Sequence, residues 1–155
     1  MKPHQICYRF ADKDCRLSDE QKKSIVFLNG DMSRKIWNDF VSDKHHLFLM
    51  DRSEYIFLHQ FCVINTDAHD FSHTRQKLEK FFTSSSFMIS LWGPACGALC
   101  HPSILASAWD DFFYPSDENT VAIGFPNRRC VFSYENYLYL SKARKMDDRR
   151  IREKP

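Results

Sequence analysis

The first residues that could do chemistry are Cys96-Gly-Ala-Leu-Cys100-His101. Thiolates and an imidazole suit a borderline ion such as zinc, and Cys130 or His59 could complete the set. The spacing argues against it. Structural zinc sites pair their ligands at short knuckle spacing on both sides, and the chain has no second Cys/His pair of that kind. Reduced, buried cysteines packed among small residues are the better reading, because cysteine is among the most buried residue types.

The second group is Asp67-Ala-His69-Asp70-Phe-Ser-His73. A helix starting near Asp67 would put His69 and His73 on one face at i and i+4, the arrangement of a two-histidine metal or general-base site. With nearby carboxylates this is the basis of an alternative reading, a metal-assisted hydrolase. The stretch reads more simply as a solvated loop and helix cap, and His45-His46 carries less information still. Ser84 to Ser86 and Ser90 lack a nucleophile-elbow context, and no glycine-rich phosphate cradle occurs. No cofactor is expected.

The third group is Trp109-Asp-Asp-Phe-Phe-Tyr-Pro-Ser-Asp-Glu-Asn119, which interleaves aromatics with Asp110, Asp111, Asp117 and Glu118. The carboxylates could chelate a hard cation, but the alternating calcium-loop pattern with its central glycine is missing. Phe112, Phe113 and Tyr114 cannot all enter one core from one element, so at least one should be half-exposed. Aromatics rimmed by carboxylates make either a protein-binding patch or a buried anchor for the loop, and on the first reading the candidate binding residues are Trp109, Asp110, Asp111, Phe113, Tyr114, Asp117 and Glu118.

The segment has a context. From Phe81 to Trp109 the chain has no Asp, Glu, Lys or Arg, although 27% of all residues are charged. That makes it the expected core. Thr83, the serines, Gly93-Pro94 and His101-Pro102 interrupt it, so it does not read as a spanning helix. A chain of 155 residues fits one domain and buries roughly 70% of its unfolded surface without disulfides. The N-terminus shows no secretory apolar region, so the six cysteines are expected as reduced thiols in a cytoplasmic protein. Residues 142 to 155 hold seven Lys/Arg against three Asp/Glu, a net of +4, which leaves residues 1 to 141 at −2. The body is therefore no basic nucleic-acid binder, and the charged C-terminal tail is expected to be solvated.

Patterning supplies the elements. Ile6, Tyr8 and Phe10 alternate as in a short strand. Ser18-Asp-Glu-Gln21 is a capping box, predicting a helix of about ten residues that turns Ile25, Val26 and Leu28 inward and exits at Asn29-Gly30. Ser33 is expected to cap a second helix with Ile36, Trp37, Phe40 and Val41 on its apolar face, packed on the first. Leu47 to Met50 suits a strand, while Glu54 to Ile64 fits a helix or a strand. A loop over Asn65 to Asp70 leads to a helix from Ser72 with Leu78, Phe81 and Phe82 inward. Strands follow at Phe87–Trp92, Thr120–Phe125 and Cys130–Tyr134, with a helix from Pro102 to Trp109 and a strand or short helix within Glu135 to Ala143. The sum is a single α+β domain over 1–141: an antiparallel or mixed sheet of four to six strands with helices packed on one side.

Trp109 to Asn119 and the hairpin after it resemble, over residues 104 to 140, a segment of small uncharacterised bacterial cytosolic proteins, including presumed immunity proteins of polymorphic toxin systems. The resemblance implies a compact α+β binding protein without cofactor. Function is then expected to lie in binding another macromolecule, a protein such as a basic toxin or nuclease, with no membrane and no nucleic acid involved.

Overall fold

The computed structural model describes residues 8–47, 61–114 and 119–143. Their centre is a seven-stranded, wholly antiparallel sheet. In chain order the strands are β1 (Val26–Leu28), β2 (Cys62–Asn65), β3 (Phe87–Trp92), β4 (Gly97–Cys100), β5 (Thr120–Phe125), β6 (Arg129–Tyr134) and β7 (Tyr137–Lys142), arranged β1-β4-β3-β5-β6-β7-β2. The six helices among these residues are α1 (Tyr8–Ala11), α2 (Asp19–Lys23), α3 (Gly30–Phe40), α4 (Phe71–Phe81), α5 (Pro102–Ser107) and α6 (Trp109–Phe112).

The α+β class is as expected, but the seven strands exceed four to six, and the two unpredicted ones, β1 and β4, come from stretches with a competing local signal. The capping box at Ser18 does form: Gln21 N donates to Ser18 Oγ at 3.2 Å and Ser18 N to Gln21 Oε1 at 2.9 Å. The helix nevertheless ends at Lys23, because the β-branched Ile25 and Val26 favour extended backbone, and Val26–Leu28 pairs with β4. Asn29-Gly30 is then an entry rather than an exit, and the cap is Asn29, whose Oδ1 accepts from Met32 N at 2.8 Å. Ser33 is buried inside α3 and donates to Asn29 O at 3.0 Å. β4 contains the Cys96–Cys100 motif. Tyr8–Ala11 is a helical turn, not a strand. All but Leu47 of the expected strand at Leu47 to Met50, and most of Glu54 to Ile64, lie outside the described residues.

The helices are not confined to one side. Side chains alternate across the sheet, and one face, with Met88, Ala98, Ala122, Val131, Leu138 and Leu140, packs against Phe10, Leu78, Phe81, Leu105 and Phe112 from α1 and α4 to α6. The opposite face, with Ile89, Leu91, Val121, Ile123 and Cys130, packs against Trp37 of α3 and Val41, the residue that follows it. Strand β3 is covered on both faces, which explains why five of its six residues are apolar and why Ser90 between them is fully buried. Gly124 lies where α4 runs into β3: a Cβ there would overlap the Ser85 side chain and come within 3.0 Å of the Phe82 ring. At the C-terminal end of α4, Arg129 Nη1 donates to Phe81 O at 2.9 Å, a cation placed against the negative end of the helix.

Candidate functional site

The aromatic-acidic segment is resolved by a break in its helix. α5 stops at Ala108, whose φ of −137° and ψ of 37° leave the helical region, and α6 restarts at Trp109. After this break adjacent aromatics enter the core: Trp109, Phe112 and Phe113 are 9%, 0% and 3% exposed. Tyr114 is half-buried beneath the Arg9 guanidinium, 4.4 Å from its ring centroid. Asp117 and Glu118 lie outside the described residues.

Asp110 and Asp111 are largely engaged within the protein. Arg16 Nε donates to both Asp110 oxygens at 3.2 and 3.1 Å, and Arg16 N donates to Asp111 Oδ2 at 3.1 Å. Burial raises the Asp111 carboxyl above its ordinary range, partly offset by the Arg16 backbone N–H. The Arg16 guanidinium lies 3.7 Å from the centroid of the Phe71 ring, and Phe71 stacks on Trp109 at 5.4 Å and 17°. Trp109 Nε1 completes the stack by donating to Phe71 O at 3.2 Å.

Trp109 and Asp110 also border a cleft of about 180 Å³, together with Phe113, Asp67, Glu135 and Ser133. Its two rims come from distant parts of the chain. Asp67 follows β2, Glu135 sits in the β6–β7 hairpin, and Thr66 braces them by donating through both N (2.8 Å) and Oγ1 (3.0 Å) to Asn136 O. Asp67 and Glu135 are exposed, Asp110 is half-buried, and no lining residue is Lys or Arg. Three carboxylates beside the aromatic side chains of Trp109, Phe113 and Tyr137 suit a cation. Of these residues only Trp109, Asp110 and Phe113 were legible as site residues; Asp67, Ser133 and Glu135 join them through strand pairing, for which no local motif exists.

The other candidates do not assemble. His69 and His73 stack at 3.9 Å and 20°, so their in-plane lone pairs run nearly parallel and do not converge on one ion. Asp70, the nearest carboxylate in sequence, caps α4 by accepting from His73 N at 2.8 Å. His101 Nδ1 is the cap of α5, accepting from Ser103 N at 3.2 Å. Cys100 and Cys130 point to opposite faces of the sheet, and His59 lies outside the described residues. Among the described residues no three His, Cys, Asp or Glu side chains gather as a metal set, and no helix is long and apolar enough to cross a membrane.

None of the five described cysteines forms a disulfide. Burial pushes the Cys100 and Cys130 thiols up to about 12. Iodoacetamide at pH 8 is therefore expected to label Cys15, Cys62 and Cys96 in the native protein and to spare Cys100 and Cys130 until denaturant is added, as read by peptide mass spectrometry. Labelling of Cys130 at the rate of an exposed thiol would contradict the burial. Because these folded-state values are raised, the stability they carry is complete below about pH 9 and is lost as pH rises toward 12.

Comparison with known protein families, with curated proteins and with solved structures finds no match for this chain.

Proposed function

We propose that the protein acts by binding a protein partner rather than by catalysis, in the manner of an immunity or inhibitor protein, with the acidic-aromatic cleft beside Trp109 as the contact centre. The observation that carries this reading is the cleft itself, where Asp67, Asp110 and Glu135 surround aromatic side chains and no basic residue lines the wall. Asp110 is the shared member, held by Arg16 on one side and bordering the cleft on the other. The partner is basic, a toxin or nuclease in the cytoplasm, and is inhibited by occlusion. Charge complementarity of this kind acts chiefly on the rate of encounter.

Association of the full chain with the product of the gene beside its own, followed at low and high salt, measures it. Asp67→Asn with Glu135→Gln is expected to slow association roughly tenfold at low salt and to flatten its salt dependence. The unfolding midpoint should not move, since both residues are exposed and neither has an ion pair among the described residues. A neighbouring product that does not bind, or wild-type association by the variant, would overturn the reading.

A further inference from the structure

We propose that the open edge of the sheet at β2 pairs with the same edge of a second copy of the chain, joining the two sheets antiparallel about a two-fold axis. The inference needs nothing from the cleft reading above. Its basis is the direction of the backbone groups of β2. In the β6–β7 hairpin Tyr134 and Tyr137 face each other across a two-residue loop, so Tyr137, Tyr139 and Ser141 bond β6, and Leu138 and Leu140 turn their backbone groups toward β2. Two bonds of the β2 side agree: Thr66 N donates to Asn136 O at 2.8 Å and Phe61 N to Leu140 O at 2.7 Å. Ile64 and Cys62, opposite Leu138 and Leu140, therefore bond β7, while Val63 and Asn65 direct their N–H groups away from the sheet. Among the described residues neither N–H has an acceptor, and no strand lies beyond β2.

Edges that stay unpaired are blunted by charge or proline. Phe61-Cys-Val-Ile-Asn65 carries neither, and Phe61 and Val63 are 57% and 41% exposed. Such an edge is a template for another strand. The charges around it select the strand. At the Phe61 end stand Arg129, whose guanidinium is 5.8 Å from the Phe61 ring centroid, and its register partner Lys142. At the other end stand Asp67, just after β2, and Glu135, in the hairpin loop that Thr66 ties to β2 through Asn136. A copy laid antiparallel brings its acidic end to the basic end of the first, and the two-fold axis makes that match twice. A copy laid parallel would set like charges against like.

The interface is isologous, with Val63 at its centre, and the same face of the sheet continues from one copy into the other. That face already carries the Phe132 ring stacked on Tyr139 at 5.0 Å, with Val63 opposite Tyr139 on the next strand. Phe61 to Asn65 is a short contact, below the roughly 1,200 Å² of stable complexes, so a Kd of about 100 µM is expected.

Sedimentation equilibrium of the full chain from about 5 µM to about 1 mM, with amide hydrogen exchange of the ¹⁵N-labelled protein at both ends of that range, tests the proposal. The chain is expected to pass from monomer to dimer, and exchange at the Val63 amide to slow roughly fivefold while Ile64, already bonded to β7, keeps its rate. Val63→Pro removes the outward N–H and no bond to β7, and should weaken the dimer roughly thirtyfold, the size of two net hydrogen bonds. Val63→Lys changes only an exposed side chain and sets a cation beside its symmetry mate; it should weaken the dimer roughly tenfold with the unfolding midpoint unchanged. Lys142→Glu should weaken it roughly fivefold. A monomer at every concentration leaves the edge to a different protein, and a dimer whose Val63 amide still exchanges freely places the contact elsewhere. A Val63 amide protected even at the lowest concentration means that the chain covers its own edge. Each of these, or wild-type dimerisation by Val63→Lys, or a tighter dimer of Lys142→Glu, would overturn the proposal.

Discussion

Phe112→Ala is expected to lower the unfolding free energy by about 3–5 kcal/mol, the range for removing a fully buried aromatic ring. The ring is 0% exposed and packs against Phe10 at 5.1 Å and Trp92 at 6.0 Å. Its backbone is pinned as well, because Phe112 O accepts from Trp92 Nε1 at 2.9 Å and from Arg9 Nη1 at 3.4 Å. The surroundings therefore cannot close over the hole, and the cavity term adds to the transfer term. Urea denaturation should show a lower midpoint with an unchanged slope. Since total stability is about 5–15 kcal/mol, Phe112→Leu, expected to lose about 1 to 1.5 kcal/mol, is the variant that remains folded. An alanine variant within 1 kcal/mol of wild type would mean that the ring is not core. About 1 kcal/mol is the resolution such a comparison needs.

Trp37→Ala is expected to be comparably severe, about 3–5 kcal/mol, for a different structural reason. Trp37 is 0% exposed at the centre of α3, the one described helix on its face of the sheet, where it packs among Ile89, Leu91, Val121 and Ile123. Its Nε1 donates to Lys44 O at 2.6 Å, holding the chain after the helix against it. Trp37→Phe keeps most of the ring and drops that bond, so its loss should be roughly 1–2 kcal/mol. Because Phe112 and Trp37 belong to cores on opposite sides of the sheet, Phe112→Leu and Trp37→Phe should add to within about 0.5 kcal/mol. Thermal or urea unfolding of the singles and the double decides it. Strong coupling would show that the faces communicate through β3.

Where local chemistry was unopposed, the chain was readable. Phe87–Trp92 and Thr120–Phe125 form strands over those very spans, and Leu78 and Phe81 of α4 and its C-cap Phe82 are buried. Each has a strong periodicity and clear turn residues at its ends. The errors lie where two local signals competed. A genuine capping box at Ser18 predicted too long a helix, because a cap starts a helix but does not determine its length. Asn29-Gly30 suits a helix exit and a helix entry equally, and only the pairing of Val26–Leu28 with β4 decides between them. The strand within the cysteine motif has no local signal, since Gly97–Cys100 shows no alternation of polarity: both of its faces are covered.

The sequence alone was enough for the α+β class, for a core centred on the uncharged stretch before Trp109, and for the concentration of aromatics and acids after it, because composition and periodicity are local quantities. Tertiary structure alone decided which acids face a shared space. Asp110 and Asp111 looked like a free acidic patch, yet Arg16, 94 residues from Asp110, binds to both. The cleft joins Asp67, Asp110, Ser133 and Glu135 through the pairing of β2 with β7 and β7 with β6. Strand pairing is a long-range choice made by the whole core, and no window of residues along the chain encodes it.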